Sequence, residues 1–324
     1  MLLAIALAAL IQDSTVDTTF TVQRGQRLEL HVHAGDLTVR GWNRNAARVR
    51  AELPARAFLE IDREGAAVRV DVGSHRGPPP SVDYEIMVPD WMPLALSGVN
   101  TSVRVDGVQA PITVETVDGD VEVTGGSGNI SLSSVQGGVT LAGAKGHIEA
   151  NSVNSDVVVR GASGQIFAEA VNGEVRLERV ECDEVNASSV NGDVTYDGPV
   201  RPTGHYRLAT HNGDVMMTVP EGASAVISVS SFQGDFESSF PVTLRERRGR
   251  RFTFTLGSGS ARVELESFQG TIRLVRPGGI RVEGKRGEAG AKPTRPEPPT
   301  APAPPSTPAP PSAPPRPPAA PPGR

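Results

Sequence analysis

Cysteine is almost absent: Cys182 is the only one in 324 residues. One cysteine closes no internal disulfide and builds no zinc site of the paired-cysteine type. A lone thiol acts as a nucleophile only beside a base, and none is legible near Cys182, which reads as a tolerated residue of the body. Aromatic residues make up 4% of the chain, too few for a thick globular core. Lysine occurs only at Lys145, Lys285 and Lys292, so arginine carries nearly all positive charge. Excess charge of one sign is missing as well, the formal net charge being −5. That argues against a nucleic-acid partner or an anionic membrane surface. No apolar run reaches the roughly 20 residues of a membrane helix.

Catalytic and cofactor motifs are missing too. The six histidines share no metal-ligand spacing with carboxylates. His31-x-His33 puts two of them on one strand face, and two ligands are not a site. Nothing pairs a nucleophile with a base, and Gly259-Ser-Ala-Arg262 matches no phosphate loop. A chain of this composition is expected not to be an enzyme and to carry no cofactor.

What is present is glycine (35), proline (28) and a repeat. The phrase runs Thr116-Val-Asp-Gly-Asp-Val121, Ser134-Val-Gln-Gly-Gly-Val139, Ser152-Val-Asn-Ser-Asp-Val157, Ala170-Val-Asn-Gly-Glu-Val175, Ser189-Val-Asn-Gly-Asp-Val194 and Thr210-His-Asn-Gly-Asp-Val215. It ends with Ser231-Phe-Gln-Gly-Asp-Phe236 and Ser267-Phe-Gln-Gly-Thr-Ile272, after a degenerate opening copy at Gly98–Val103. The fourth position falls at 101, 119, 137, 155, 173, 192, 213, 234 and 270, in steps of 18 drifting to 21 and a last step of 36. That last step is expected to hold one masked coil. A second phrase, Gly128-Asn-Ile130, Gly146-His-Ile148 and Gly164-Gln-Ile166, lies nine residues past the first. Each repeat is therefore two short strands and two turns.

Alternation at Val121/Val123, Val139/Leu141 and Val175/Leu177 gives each strand one apolar face. Such strands are stable only when stacked. The fold class predicted is all-β, a single-stranded β-solenoid of about 18–21 residues per coil. A sandwich of antiparallel hairpins is the competing architecture. Stacking puts Asn100, Asp118, Gln136, Asn154, Asn172, Asn191, Asn212, Gln233 and Gln269 in one column, whose amides can bond along the stack. The Ser/Thr column two residues earlier can bond the turn backbone, and the following glycines admit positive φ.

Four segments are expected. Residues 1–13 resemble a secretory signal, with a buried first strand as the alternative. Residues 14–97 form an irregular β cap and first coils, with Gly35-Asp36-Leu37 an outlying copy and Trp42 and Trp91 plugging the end. Residues 98–282 are the repeats. Residues 283–324 are a disordered Pro/Ala-rich tail, extended in the polyproline manner, with sixteen prolines between Pro293 and Pro322. The arginines at 245, 247, 248, 250 and 251 mark a solvated hairpin loop or an anion-docking one.

One constellation carries chemistry: Asp120, Asp156, Glu174, Asp193, Asp214 and Asp235 fall in one column. Stacked carboxylates repel, and calcium would relieve them. The calcium candidates are Asp120, Asp156, Asp193, Asp214 and Asp235. Solvent or neighbouring arginines would serve equally, and Ser102, Gly138 and Thr271 interrupt the column.

The Ser-Val-Asn-Gly-Asp-Val phrase at this spacing, behind a signal-like start, resembles the bacterial putative-adhesin family of envelope β-solenoids over roughly residues 30–275. The resemblance implies an exported, non-catalytic surface or periplasmic module that binds an envelope protein or glycan. It implies no catalytic residues. The alternatives are a self-assembling structural solenoid joined end to end and a polysaccharide-acting enzyme. The last needs paired carboxylates in a groove, where the repeats offer a column. Monomer and end-to-end polymer both remain open at this point.

Overall fold

The computed structural model describes residues 14–54, 57–63, 65–75, 77–241, 244–248 and 250–278. The signal-like segment 1–13 and the proline-rich segment 283–324 lie outside them, as do the side chains of Arg245, Arg247 and Arg248. The described residues form an all-β solenoid without helices, built from 27 strands in two long sheets.

The repeats stack as read. Seven coils each give one strand to either sheet. They are β8–β9 (Leu94–Asn100, Val103–Val108), β10–β11 (Ile112–Asp118, Val121–Gly125), β12–β13 (Ser127–Ser134, Val139–Ala142) and β14–β15 (Lys145–Ser152, Val157–Arg160). β16–β17 (Ser163–Ala170, Val175–Glu178), β18–β19 (Glu181–Asn191, Val194–Asp197) and β20–β21 (His205–Asn212, Val215–Thr218) follow. Every pairing between them is parallel, in the register of the repeat: Val121 on Val139, Val139 on Val157, Ile130 on Ile148, Ile148 on Ile166. This is the solenoid and not the hairpin sandwich. The inward residues form continuous ladders with no exposed surface, among them Ile112, Ile130, Ile148 and Ile166. Each such side chain contributes about 1.5–3 kcal/mol by leaving water. The drift to 21 residues has a local cause. The loop after Asp197 admits Tyr196 and Tyr206, which pack edge to face inside the coil at 5.4 Å. Their hydroxyls donate to the Pro199 and Cys182 carbonyls at 2.8 and 2.9 Å.

Both ends depart from chain order. Near the N-terminus β2–β3 (Arg27–Ala34, Leu37–Trp42) pairs with β8–β9, confirming Gly35-Asp36-Leu37 as a copy of the phrase. Beyond it lies β6–β7 (Ala67–Ser74, Tyr84–Pro89), later in sequence but further out in space. Antiparallel strands then close both sheets: β4 (Ala46–Leu53) and β1 (Ser14–Thr21) on one, β5 (Ala57–Asp62) on the other. Trp42 and Trp91 are half-buried on this end's strands and turns, each beneath an arginine, Arg44 and Arg24.

The far end repeats the device. β22–β23 (Ala225–Ser231, Phe236–Ser238) is the outermost coil. β24 (Leu244–Arg248) and β25 (Arg251–Leu256) then turn antiparallel as a hairpin. β26–β27 (Ala261–Gln269, Ile272–Val275) threads back between β20–β21 and β22–β23. The 36-residue step therefore holds a hairpin, not a masked coil, and the coil bearing Gly270 sits below the one bearing Gly234.

The glycine column also has a different reason from the one expected. Gly119 and Gly270 have φ of +140° and +143°, but Gly137 and Gly173 have no such angle. A Cβ at Gly137 would stand 2.0 Å from the Gly119 carbonyl oxygen, and one at Gly173 2.1 Å from that of Ser155. The turn backbones lie in contact, and glycine is what lets them. Gly137→Ala should cost about 2–3 kcal/mol of stability or more, while Gly143→Ala, with open space around it, should cost about 1–2 kcal/mol from its φ alone. Urea unfolding of the two variants checks the order.

Candidate functional site

Each turn carries four side-chain columns, and three are accounted for by the fold. The first-position hydroxyls point inward and donate to the turn carbonyl of the coil below: Thr116 to Thr101 at 3.0 Å, Ser134 to Gly119 at 2.9 Å, Ser152 to Gly137 at 2.9 Å, Ser189 to Gly173 at 2.8 Å. The third-position amides form the expected ladder. Nδ2 of Asn154, Asn172, Asn191 and Asn212 donates to the side-chain oxygen of the rung below at 2.8–3.3 Å.

The carboxylate column is occupied by the backbone. Asp120 accepts the Gly138 N–H at 2.8 Å, Asp156 that of Glu174 at 2.9 Å, Asp193 that of Asp214 at 2.8 Å, and Asp214 that of Thr271 at 2.8 Å. Asp83 does the same for Asp36 near the N-terminal end. Arginines take the free oxygens. Arg176 bridges Asp156 and Glu174 at 3.0 and 2.7 Å, and Arg273 bridges Asp214 and Glu237 at 2.5 and 3.1 Å. Asp235 stands at the head of the column in the terminal coil. Calcium needs six or more oxygens converging on one point. Four of the five candidates, Asp120, Asp156, Asp193 and Asp214, instead face an N–H one coil away, and among the described residues no three His, Cys, Asp or Glu side chains are placed to hold a metal ion. The donor set does not fit calcium. The repulsion foreseen between stacked carboxylates is relieved by amides and arginines.

His31 and His33 both lie exposed on β2, where His31 Nδ1 meets the Ser97 hydroxyl at 2.8 Å. Cys182 is fully buried. Its apolar surroundings push the thiol up to about 12, so it stays neutral and unreactive at physiological pH.

The second position remains. Val99, Val117, Val135, Val153, Val171, Val190, Phe268 and Phe232 stand one above another on the outside of the turn, 36–49% exposed. Nine large apolar side chains are exposed among the described residues, and eight of them are in this column, Phe58 being the ninth. Scattered apolar residues are ordinary on a surface, whereas a contiguous line is not. The core does not need them, since the inward ladders are complete without them. Backbone bonds run straight through the column, Gln136 N–H to Val117 O at 2.9 Å and Asn172 N–H to Val153 O at 2.8 Å, so the valines are held at the coil spacing.

At its C-terminal end the ridge becomes aromatic. His211, Phe268 and Phe232 stack nearly parallel with ring centres 4.6 Å apart, and the Arg250 guanidinium lies 4.2 Å over Phe232. A shallow groove lined by Ser188, Thr210, His211, Phe232, Glu266 and Phe268 runs along it. Polar columns flank the ridge: Glu115, Ser133, Asn151 and Glu169 on one side, the amide ladder on the other. Sequence reasoning singled out the column's neighbours and passed over the column itself. The signal was available: in Ile130-Ser-Leu132-Ser-Ser134-Val135 the even positions point in, which turns Val135 out.

The hydroxyl column predicts a clean stability contrast. Ser152 is buried, donates to Gly137 O and accepts the Ser155 N–H, so Ser152→Ala should cost about 1–3 kcal/mol. Val153→Thr, one residue on, should change stability by less than about 0.5 kcal/mol. Thermal unfolding of both variants measures the difference.

Comparison with known proteins agrees with this architecture. No curated protein matches the chain. Several solved structures align with most of the chain at low identity and low structural overlap. A putative adhesin from Parabacteroides merdae is 10% identical over 81% of this chain and 96% of its own, with a TM-score of 0.47. A putative adhesin from Bacteroides fragilis is 10% identical over 82% and 99%, with a TM-score of 0.38. A putative cell adhesion protein from Clostridium sporogenes is 10% identical over 81% and 100%, with a TM-score of 0.23. The family described as Toastrack DUF4097 matches residues 112–275, half of the chain and nearly all of its regular coils. With that match on the repeats that build the two sheets, the chain belongs to the Toastrack DUF4097 family.

Proposed function

We propose that this protein is a non-catalytic, exported interaction scaffold that holds a cell-envelope partner, protein or glycan, against the exposed turn ridge. The observation that carries this is the concentration, among the described residues, of eight of nine exposed large apolar side chains in a single column that the core does not use. Burying that ridge against a partner returns roughly 25 cal/mol per Å². The flanking amides and carboxylates supply the polar rim that interfaces carry. The apolar run Met1–Ile11 supports export.

A structural filament joined end to end is less favoured. Both ends break the parallel coil stacking with antiparallel strands or with the three-residue β23, and so short an edge strand as β23 blunts edge-to-edge pairing. Replacing Val135, Val153 and Val171 together by threonine keeps β-branched shape and removes apolar contact. The triple variant should keep the melting temperature of the parent and lose most of its retention on a cell-envelope fraction, read by co-sedimentation. Equal retention of parent and variant would remove the ridge from the function.

A further inference from the structure

We infer that the partner of the ridge is a second copy of the same chain, packed ridge to ridge with the two solenoids antiparallel. This rests on the ridge being the contact surface, and it says what makes the contact.

The first argument is period. Side chains in the column repeat at the strand spacing of about 4.8 Å. A partner that seats a side chain between every pair of rungs must repeat at the same distance, and a second solenoid of this chain does so for the whole length. Dry, interdigitated faces of identical stacked side chains, with amide ladders and stacked aromatics beside them, are how period-matched β-stacks associate. All three elements are here: the valines, the Asn154–Asn172–Asn191–Asn212 ladder, and the His211–Phe268–Phe232 stack.

The second argument is charge. The aromatic end is the arginine end. Arg250 lies over Phe232 and donates to the Phe232 carbonyl, while Arg251 and Arg207 share the single carboxylate of Glu266. The rung next to the opposite end is acidic. Glu115 and Asp118 flank Val117, both exposed, and neither is in an ion pair among the described residues. A parallel pair would set arginines on arginines and carboxylates on carboxylates. An antiparallel pair sets Arg250 and Arg251 of one copy near Glu115 and Asp118 of the other, at both ends by symmetry.

The third is size. From Val99 to Phe232 the ridge crosses eight coil steps, about 38 Å at about 4.8 Å each. With its two flanking columns it is about 15 Å wide, giving about 600 Å² per copy against about 800 Å² for a standard interface. The pair is thus expected to be weak and reversible, at the low end of specific interface sizes. Such a contact suits two molecules presented at a surface, where their local concentration is high.

Sedimentation equilibrium of the full chain between about 1 and 500 µM tests this. The expected result is a monomer–dimer equilibrium. It should weaken at least tenfold in the Val135→Thr/Val153→Thr/Val171→Thr variant, at unchanged circular dichroism. Arg250→Glu should weaken it too, and adding Glu115→Arg and Asp118→Arg should restore it, because the antiparallel arrangement exchanges those ends. A chain that stays monomeric throughout, or a dimer indifferent to the threonine triple, overturns the proposal. A monomeric parent whose envelope retention still falls in the triple variant would overturn self-pairing alone and leave the ridge as a contact for a different partner.

Discussion

The spacing between hydrogen-bonded strands, about 4.8 Å, governs this structure. Once each coil lies on the one below at that distance, every side chain has its own copy as its nearest neighbour. Each position must then tolerate being stacked on itself. Valine and isoleucine do so inside. Asparagine does so by passing an amide proton from rung to rung. Aspartate cannot, and the chain resolves the conflict by giving Asp120, Asp156, Asp193 and Asp214 an N–H of the next coil, with Arg176 and Arg273 across free oxygens. Glycine at 137, 173 and 192 follows from the same rule, because the turn backbones approach too closely for a Cβ.

That rule separates what the repeat phrase does for the fold from what is left over. Hydroxyl, amide, glycine and carboxylate all have partners within the stack. The valines of the second position have no such polar partner, and the position is apolar in eight coils. A solvent-facing β-branched position could be threonine at little cost to strand propensity. Valine there retains the strand preference and adds surface that water solvates poorly. The ridge is the one feature whose cost the fold does not recover from its own contacts.

The coils were legible because a regular period of 18 residues with inward Val/Ile pairs favours stacked coils over a hairpin sandwich, and the amide and hydroxyl ladders followed from it. The ends were not legible. β4 reads Ala-Ala-Arg-Val-Arg-Ala-Glu-Leu, and its inward residues Ala47, Val49 and Ala51 are too small to stand out beside outward-facing Arg48 and Arg50. The placement of β6–β7 outside β2–β3, and of β26–β27 inside β22–β23, depends on long-range pairing that leaves no local pattern. The carboxylates were legible in part, with neighbouring arginines among the expected partners. Repulsion between copies was foreseen, but the N–H that relieves it belongs to the backbone, which every sequence has. The ridge was overlooked because its valines look like core residues until the strand alternation is followed through the turn.

The central claim is that the Val117–Val190 column is a contact surface in the working protein and bare in the isolated one. Hydroxyl-radical footprinting of these valines, with the chain dilute in solution and again on intact cells, tests it most directly. Side-chain oxidation should be fast at all five valines in dilute solution and several-fold slower on cells, while exposed reference positions such as Phe58 do not change. Equal oxidation in both settings would contradict the account.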